Sequence, residues 1–247
     1  MTHAATAATV PRDGATPPLV LAHRGAWDQA PQNSLEAIRR AAALGCDGVE
    51  IDVRRTADGE MVVVHDGRLG WRSVRHLTHA AVQARMRPGQ APLLADLLDA
   101  AAAARLLVDV ELKEDGYVAE ALTLIAQHLP PDSYVVTSFL ADVLAQVKRH
   151  APETRTGLLL APRAARRAGR RLRETGADFL LPHVSLARTG IVEWAARHGR
   201  ASWLWTVNEE APMRRATTDP RVAALITDVP ARALTLSHSV DLADSRE

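Results

Sequence analysis

Gly48-Val49-Glu50-Ile51-Asp52-Val53-Arg54-Arg55-Thr56-Ala57-Asp58-Gly59-Glu60-Met61-Val62-Val63-Val64-His65-Asp66 is the stretch whose reading decides the fold. Glu50, Asp52 and Arg54 stand at every second position, so in a strand they share one face while Val49, Ile51 and Val53 take the other. Asp58-Gly59 reads as a two-residue hairpin turn, because both residue types tolerate positive φ. Met61 to Val64 supplies an apolar, mostly β-branched return strand. That turn pairs Ala57 with Glu60 and sets Asp52 directly opposite His65. Two carboxylates and a histidine then meet on one face. Ionisable groups in so apolar a strand are costly to bury unless they bind something, which points to a metal-assisted acid/base site. An exposed hairpin laced with salt bridges accounts for this stretch alone equally well.

Outward from the hairpin the chain repeats one unit. Before it, Leu19 to Ala22 forms a short strand ending at His23-Arg24-Gly25, and a loop through Pro31 leads to an N-cap at Asn33 or Ser34. A helix then runs from Leu35 to Leu44 and closes at Gly45. After it, residues 67–92 are irregular, with Trp71 and Leu77 suggesting local packing and Thr78 capping a short helix. From Leu93 onward helices alternate with strands beginning near 106, 134, 155, 178, 201 and 223, the last helix ending near Leu236. With strands at 19 and 48 and the returning arm left out, eight strands separated mostly by helices predict a closed (β/α)8 barrel, a TIM barrel. The hairpin and the 67–92 insertion sit at its C-terminal mouth. No Gly-x-Gly-x-x-Gly after a strand and no Walker-type loop is present, which weighs against a nucleotide-binding open sheet.

Composition sets the outer limits. The 247 residues, 47% of them hydrophobic, suffice for one large core, expected over residues 18–236. A net charge of +1 implies no bulk attraction to nucleic acid or to an anionic membrane. A single cysteine, Cys46, excludes an intramolecular disulfide framework and fits a reducing, cytoplasmic setting. No apolar run reaches membrane-spanning length. Residues 1–17 read as a disordered leader and 237–247 as a flexible tail. Six arginines between Arg163 and Arg173 read as a solvated helix face. His76, His79, His183 and His198 read as surface or core residues.

The barrel makes a statement about chemistry. His23, Arg24, Glu50, Asp52, Glu111 and Lys113 all fall toward C-terminal ends of strands, where barrel enzymes place their sites. Glu50, Asp52 and Glu111 form an all-oxygen set suited to one hard divalent cation, Mg²⁺ or Ca²⁺. Arg24 and Lys113 beside that cation make a focus for phosphate. His23 and His65 are the natural proton carriers near neutral pH. Histidines on either side of an anion so held suit phosphodiester cleavage, and attack by water or by a substrate hydroxyl both fit. Asp109, on the same face as Glu111 but deeper, reads as structural.

In order and spacing, His23-Arg24-Gly25, Pro31-Gln32-Asn33-Ser34, Glu50-Ile51-Asp52-Val53, His65-Asp66 and Glu111-Leu112-Lys113 resemble the glycerophosphodiester phosphodiesterase family. Ser138-Phe139, Trp205-Thr206-Val207-Asn208 and Ile226-Thr227-Asp228 extend the likeness over roughly residues 19–236. The resemblance implies a (β/α)8 barrel related to phosphatidylinositol phospholipases C. It implies hydrolysis of small glycerophosphodiesters to an alcohol and sn-glycerol 3-phosphate with a divalent cation. By the same likeness Glu50, Asp52 and Glu111 are metal ligands, His23 and His65 the acid/base pair, Arg24 and Lys113 the phosphate holders, and Trp205 a wall beside the glycerol. Two departures stand out. Gln32 replaces the family's usual glutamate, keeping size and hydrogen-bonding capacity without the charge. The segment Gly67 to Pro92 is short and lacks the family's Thr/Gly-rich start, so the head group is open. Alternative readings are a lysophospholipase D-like or phosphoinositide-directed enzyme, supported if an apolar groove surrounds Trp71, and an inactive barrel that binds phosphorylated ligands.

Overall fold

A computed structural model describes residues 17–244. The chain runs β1 (Leu19–His23), α1 (Leu35–Leu44), β2 (Gly48–Arg55), β3 (Met61–Val63), β4 (Arg68–Leu69), β5 (Arg72–Ser73), α2 (His79–Gln83), α3 (Leu94–Ala103), β6 (Leu107–Leu112), α4 (Val118–His128), β7 (Tyr134–Ser138) and α5 (Ala141–His150). It continues β8 (Thr156–Leu160), α6 (Ala168–Thr175), β9 (Phe179–Pro182), α7 (Ile191–Arg197), β10 (Ser202–Leu204), α8 (Glu210–Thr217), β11 (Val222–Thr227) and α9 (Pro230–Asp244). The last helix extends past the expected end near Leu236. Of the expected leader, residues 1–16 lie outside the described residues, as do residues 245–247 of the expected tail.

Eight parallel strands close on themselves in the order β1-β2-β6-β7-β8-β9-β10-β11, because β1 pairs with both β2 and β11. This is the (β/α)8 barrel that the sequence predicts. Alternation along each strand sorts the side chains into two layers. Val49, Ile51, Val53, Val108, Val110 and Leu112 face outward and are buried under the helices. Leu21, Leu107, Val135, Leu159, Leu181 and Trp203 fill the barrel interior. Trp203 is fully buried there, 5.1 Å from the Phe179 ring. Among the described residues no helix is long and apolar enough to cross a membrane.

The returning arm differs from the sequence reading by one residue. Arg55 pairs with Met61, Arg54 with Val62 and Val53 with Val63, so the loop has three residues and Asp52 faces Val64 instead of His65. Two physical causes set this register. Of the loop residues only Gly59 has positive φ (88°), while the Asp58 carboxylate accepts from the Thr56 hydroxyl at 2.6 Å and the His79 backbone N–H at 3.0 Å. Val62 and Val64 are also buried against Val74, Leu77, Val82 and Ala91, and a slip would turn them out to solvent. Thr78 caps α2 as expected, and Leu77 is buried. Trp71 is not packed: it is 77% exposed at the tip of the β4–β5 hairpin, with the Arg72 guanidinium 4.7 Å from its ring centroid.

Gly48 opens β2 between two neighbouring strands. It pairs with Leu21 on one side and Leu107 on the other, and an added Cβ would collide with the Leu107 carbonyl oxygen. The obstacle is backbone in a closed sheet, so it cannot move aside like a side chain. Gly48→Ala is therefore expected to destabilise by about 2–3 kcal/mol, read as a lower urea midpoint. An unchanged midpoint would show that the strand ends are looser than this.

Candidate active site

The parallel register brings the site together. His23 lies beside Glu50 in the β1–β2 ladder, and Asp52 lies beside Glu111 in the β2–β6 ladder. All four side chains therefore point toward the barrel axis near the C-terminal end. Lys113 follows β6 and keeps its strand position through a backbone bond to Val53 at 3.2 Å.

The turn after β1 is built around the carboxylates. Arg24 has φ of 58° and Gly25 of 80°, and a Cβ at Gly25 would come within 2.7 Å of the Ala37 Cβ, so glycine alone permits the approach of α1. In this turn the Arg24 backbone N–H donates to Glu50 Oε2 at 3.1 Å. The Arg24 guanidinium lies 3.2 Å from Asp52 Oδ2 and donates to Gln32 Oε1 at 2.9 Å. Asn33, buried and at φ 54°, donates its amide to Asp52 Oδ2 at 2.8 Å, while its backbone N–H bonds the Arg24 carbonyl. Gln32 thus holds Arg24 by a neutral hydrogen bond where a glutamate would add a charge.

Glu50, Asp52 and Glu111 are buried, and one carboxylate oxygen from each lies within 4.8 Å of the other two. Glu50 Oε1 and Glu111 Oε1 have no hydrogen-bond partner. Burial, then the charges of Asp52 and Glu111, push the Glu50 carboxyl well above its ordinary range. Burial raises Glu111 as well, against the pull of Lys113. Burial also acts upward on Asp52, but Lys113, Arg24 and the Asn33 hydrogen bond outweigh it and leave the group lowered. The Lys113 ammonium, 2.6 Å from Asp52 and 2.5 Å from Glu111, supplies positive charge to this cluster. Burial opposes its charge, yet the three acids outweigh burial and raise it. Three carboxylates converge, two of them with an unpartnered oxygen, on a spot with an excess of negative charge. That donor set could hold a hard divalent cation. Asp109 lies beneath, fully buried, accepting from Thr137 Oγ1 at 2.6 Å; burial and the Glu50 charge push it well above its ordinary range.

The two histidines line one cavity with Arg24, Glu50, Glu111, Lys113 and Trp205. His23 Nδ1 is 2.6 Å from Asp228 Oδ1, which leaves Nε2 on the side of Glu50, 3.8 Å away. Asn208 donates to Asp228 Oδ2 at 2.6 Å and accepts from its backbone N–H at 2.9 Å. Burial raises the Asp228 carboxyl, but the His23 and Asn208 bonds outweigh it and lower it. His65 reaches the same cavity despite the shifted register. Arg54 donates twice to its carbonyl, at 3.0 and 2.9 Å, and is itself ion-paired with Glu114. The His65 side chain is 40% exposed, its Nδ1 2.8 Å from Asp66, and burial lowers its pKa. Trp205 donates its indole N–H to the Leu181 carbonyl at 2.6 Å and meets Phe139 and His183 edge-on, with ring centroids 5.3 and 5.0 Å away. The structure thus gathers all eight predicted residues. Sequence reasoning quoted Asn33, Asn208 and Asp228 in its motifs, with Asn33 as a candidate N-cap that Ser34 in fact supplies, but gave none of the three a role in the site. The signal for Asp228 was an acid just past the last strand, which barrel closure sets beside the first.

The cavity is small, about 60 Å³, and shares Lys113 and Phe139 with an open groove of about 1150 Å³ between the β4–β5 excursion and the turns after β6 and β7.

Known proteins share this sequence pattern and fold. Residues 23–232 match the model of the glycerophosphoryl diester phosphodiesterase family. A glycerophosphodiester phosphodiesterase of Caldanaerobacter subterraneus is 28% identical over 237 residues, covering 88% of this chain and 97% of that one. Among solved structures, a glycerophosphodiester phosphodiesterase from Parabacteroides distasonis superposes with a TM-score of 0.79 at 24% identity, covering 92% of this chain and 99% of the other. An Oleispira antarctica phosphodiesterase, solved with the product sn-glycerol-3-phosphate, superposes with a TM-score of 0.76 at 24% identity, covering 89% and 96%. With its family match spanning the barrel from His23 to α9, the chain belongs to the glycerophosphoryl diester phosphodiesterase family and is a phosphodiester hydrolase.

Proposed function

We propose that this enzyme hydrolyses small glycerophosphodiesters to an alcohol and sn-glycerol 3-phosphate, using one divalent cation, Mg²⁺ or Ca²⁺, and a pair of histidines. The observation that carries this reading is the convergence of two histidines and two cationic side chains on three buried carboxylates, two of which have an unpartnered oxygen. Glu50, Asp52 and Glu111 would hold the cation, which when bound neutralises charge building on the phosphoryl oxygens. Arg24 and Lys113 orient the phosphate, and Trp205 walls the glycerol. One histidine takes the proton of the attacking oxygen as that oxygen bonds to phosphorus; the attacker is water, or a substrate hydroxyl whose cyclic phosphate water then opens. The other gives a proton to the departing alcohol oxygen as its bond to phosphorus breaks. Asp228 fixes the His23 ring so that Nε2 is the atom that exchanges the proton. The product bound in the Oleispira relative is the one this reading requires.

The groove beside Trp71 is rimmed by arginines, so it argues for a polar leaving alcohol over an acyl chain. The complete set of histidines and acids argues against an inactive binding barrel. A cytoplasmic enzyme acting on diffusible esters, with no nucleic-acid partner, is consistent with the buried free Cys46 and the near-neutral net charge.

A coupled assay for glycerol 3-phosphate, with and without EDTA, tests the proposal: turnover that chelation abolishes is expected, and absence of turnover in any divalent cation would defeat it. His65→Ala is expected to lower kcat by about 10²–10⁴-fold while leaving the unfolding midpoint nearly unchanged, since the ring is partly exposed. Near-normal turnover in that variant would remove His65 from the chemistry.

Metal binding has a calculable sign with pH. Glu50 and Glu111 are raised from 4.5, so on acidification they protonate before ordinary carboxylates do, and a cation needs them ionised. The cation-induced gain in Tm, about 5–10 °C at a hundredfold excess over Kd near neutral pH, is expected to be full above these raised values. It should disappear as pH falls through them. A gain that persisted undiminished down to the ordinary carboxylate range would place the cation elsewhere.

A further inference from the structure

The cavity around the carboxylates, about 60 Å³, lies far below the roughly 300–1,000 Å³ of an ordinary small-molecule site. On the diesterase reading, the alcohol on the far side of phosphorus must lie in the contiguous groove that shares Lys113 and Phe139. One wall of that groove is the excursion, with Arg68, Trp71, Arg72 and Arg75. Among the described residues none of these three arginines has a carboxylate within ion-pair distance. Arg72 covers one face of Trp71, and Arg68 donates to the Trp71 carbonyl. The facing wall carries Asp115 and Asp142, together with the apolar surface of Leu140.

These walls discriminate among leaving groups. An acyl chain would set three guanidinium groups against hydrocarbon. A quaternary ammonium would compete with Arg72 for the aromatic face. A polyol satisfies the carboxylates with hydroxyl donors and rests its C–H face on Trp71 and Leu140. A second phosphate on that polyol satisfies the arginines, which match phosphate oxygens in pairs. We propose that the groove is the leaving-alcohol subsite and that it selects an anionic polyol, one carrying a phosphate of its own. This rests on the diesterase reading and adds the substrate class.

The test is the ratio of kcat/KM for glycerophosphoinositol 4-phosphate to that for glycerophosphoinositol, two esters that differ only in one phosphate. The wild-type ratio is expected to be about tenfold or more, and to fall within about twofold of unity in the Arg72→Gln/Arg75→Gln variant. The Arg72→Lys/Arg75→Lys variant should keep most of it. Both rates come from one preparation, so any loss of folded protein cancels in the ratio. A wild-type ratio near unity, a ratio untouched by the glutamines, or faster turnover of glycerophosphocholine than of either inositol ester would overturn the subsite while leaving the diesterase standing. No turnover of all three would remove both.

Discussion

Three carboxylates gathered within 4.8 Å of one another in a buried place repel, and much of the surrounding structure answers that repulsion. The strands cannot move apart, because Asp52 and Glu111 are hydrogen-bonded neighbours in a closed parallel sheet. Compensation therefore comes from groups placed around them: the Lys113 ammonium between two acids, the Arg24 guanidinium and backbone N–H, and the Asn33 amide. Three of these four donors come from a turn whose backbone enters the left-handed region at Arg24, Gly25 and Asn33. A local cost in conformation is accepted there, and the offset lies in the hydrogen bonds this geometry allows. Even so, Glu50 and Glu111 stay raised, so the site is left with an appetite for positive charge.

The strand pattern was legible because alternation in β2 and β6 is a local property: apolar residues under helices on one side, ionisable ones toward the axis on the other. With eight strand beginnings that pattern yields the barrel, and with it the placing of Glu50, Asp52, Glu111 and Lys113. What eluded local reasoning depended on partners distant in sequence. The hairpin register turns on a hydrogen bond from the His79 backbone N–H to the Asp58 carboxylate and on burial of Val62 and Val64 under residues 74–91. Trp71 looked like a packing residue by type, yet it caps a two-residue hairpin with no layer above it. Asp228 and Asn208 stood in recognised motifs, but their partnership with His23 became visible only once closure set β11 against β1.

The two sides of the mouth are built differently. Around the carboxylates, Glu50, Asp52 and Glu111 arise from β2 and β6 inside a closed sheet. The excursion rests on its own small cluster of Val62, Val64, Val74, Leu77, Val82 and Ala91. Exchange of its exposed residues leaves the barrel's packing untouched, which separates the chemistry of bond cleavage from the recognition of what departs.

The contact between His23 and Asp228 spans 205 positions of chain and crosses the line where the barrel closes. Ring-closing strands are the earliest and latest of the fold to leave the ribosome. The His23 ring thus gains its Asp228 partner only after the final strand has docked. A nascent chain halted after Lys113 but short of that point would carry Glu50, Asp52, Glu111 and His65, with the His23 ring still lacking its Asp228 partner. The His23–Asp228 pairing is in this way a readout of a finished circle.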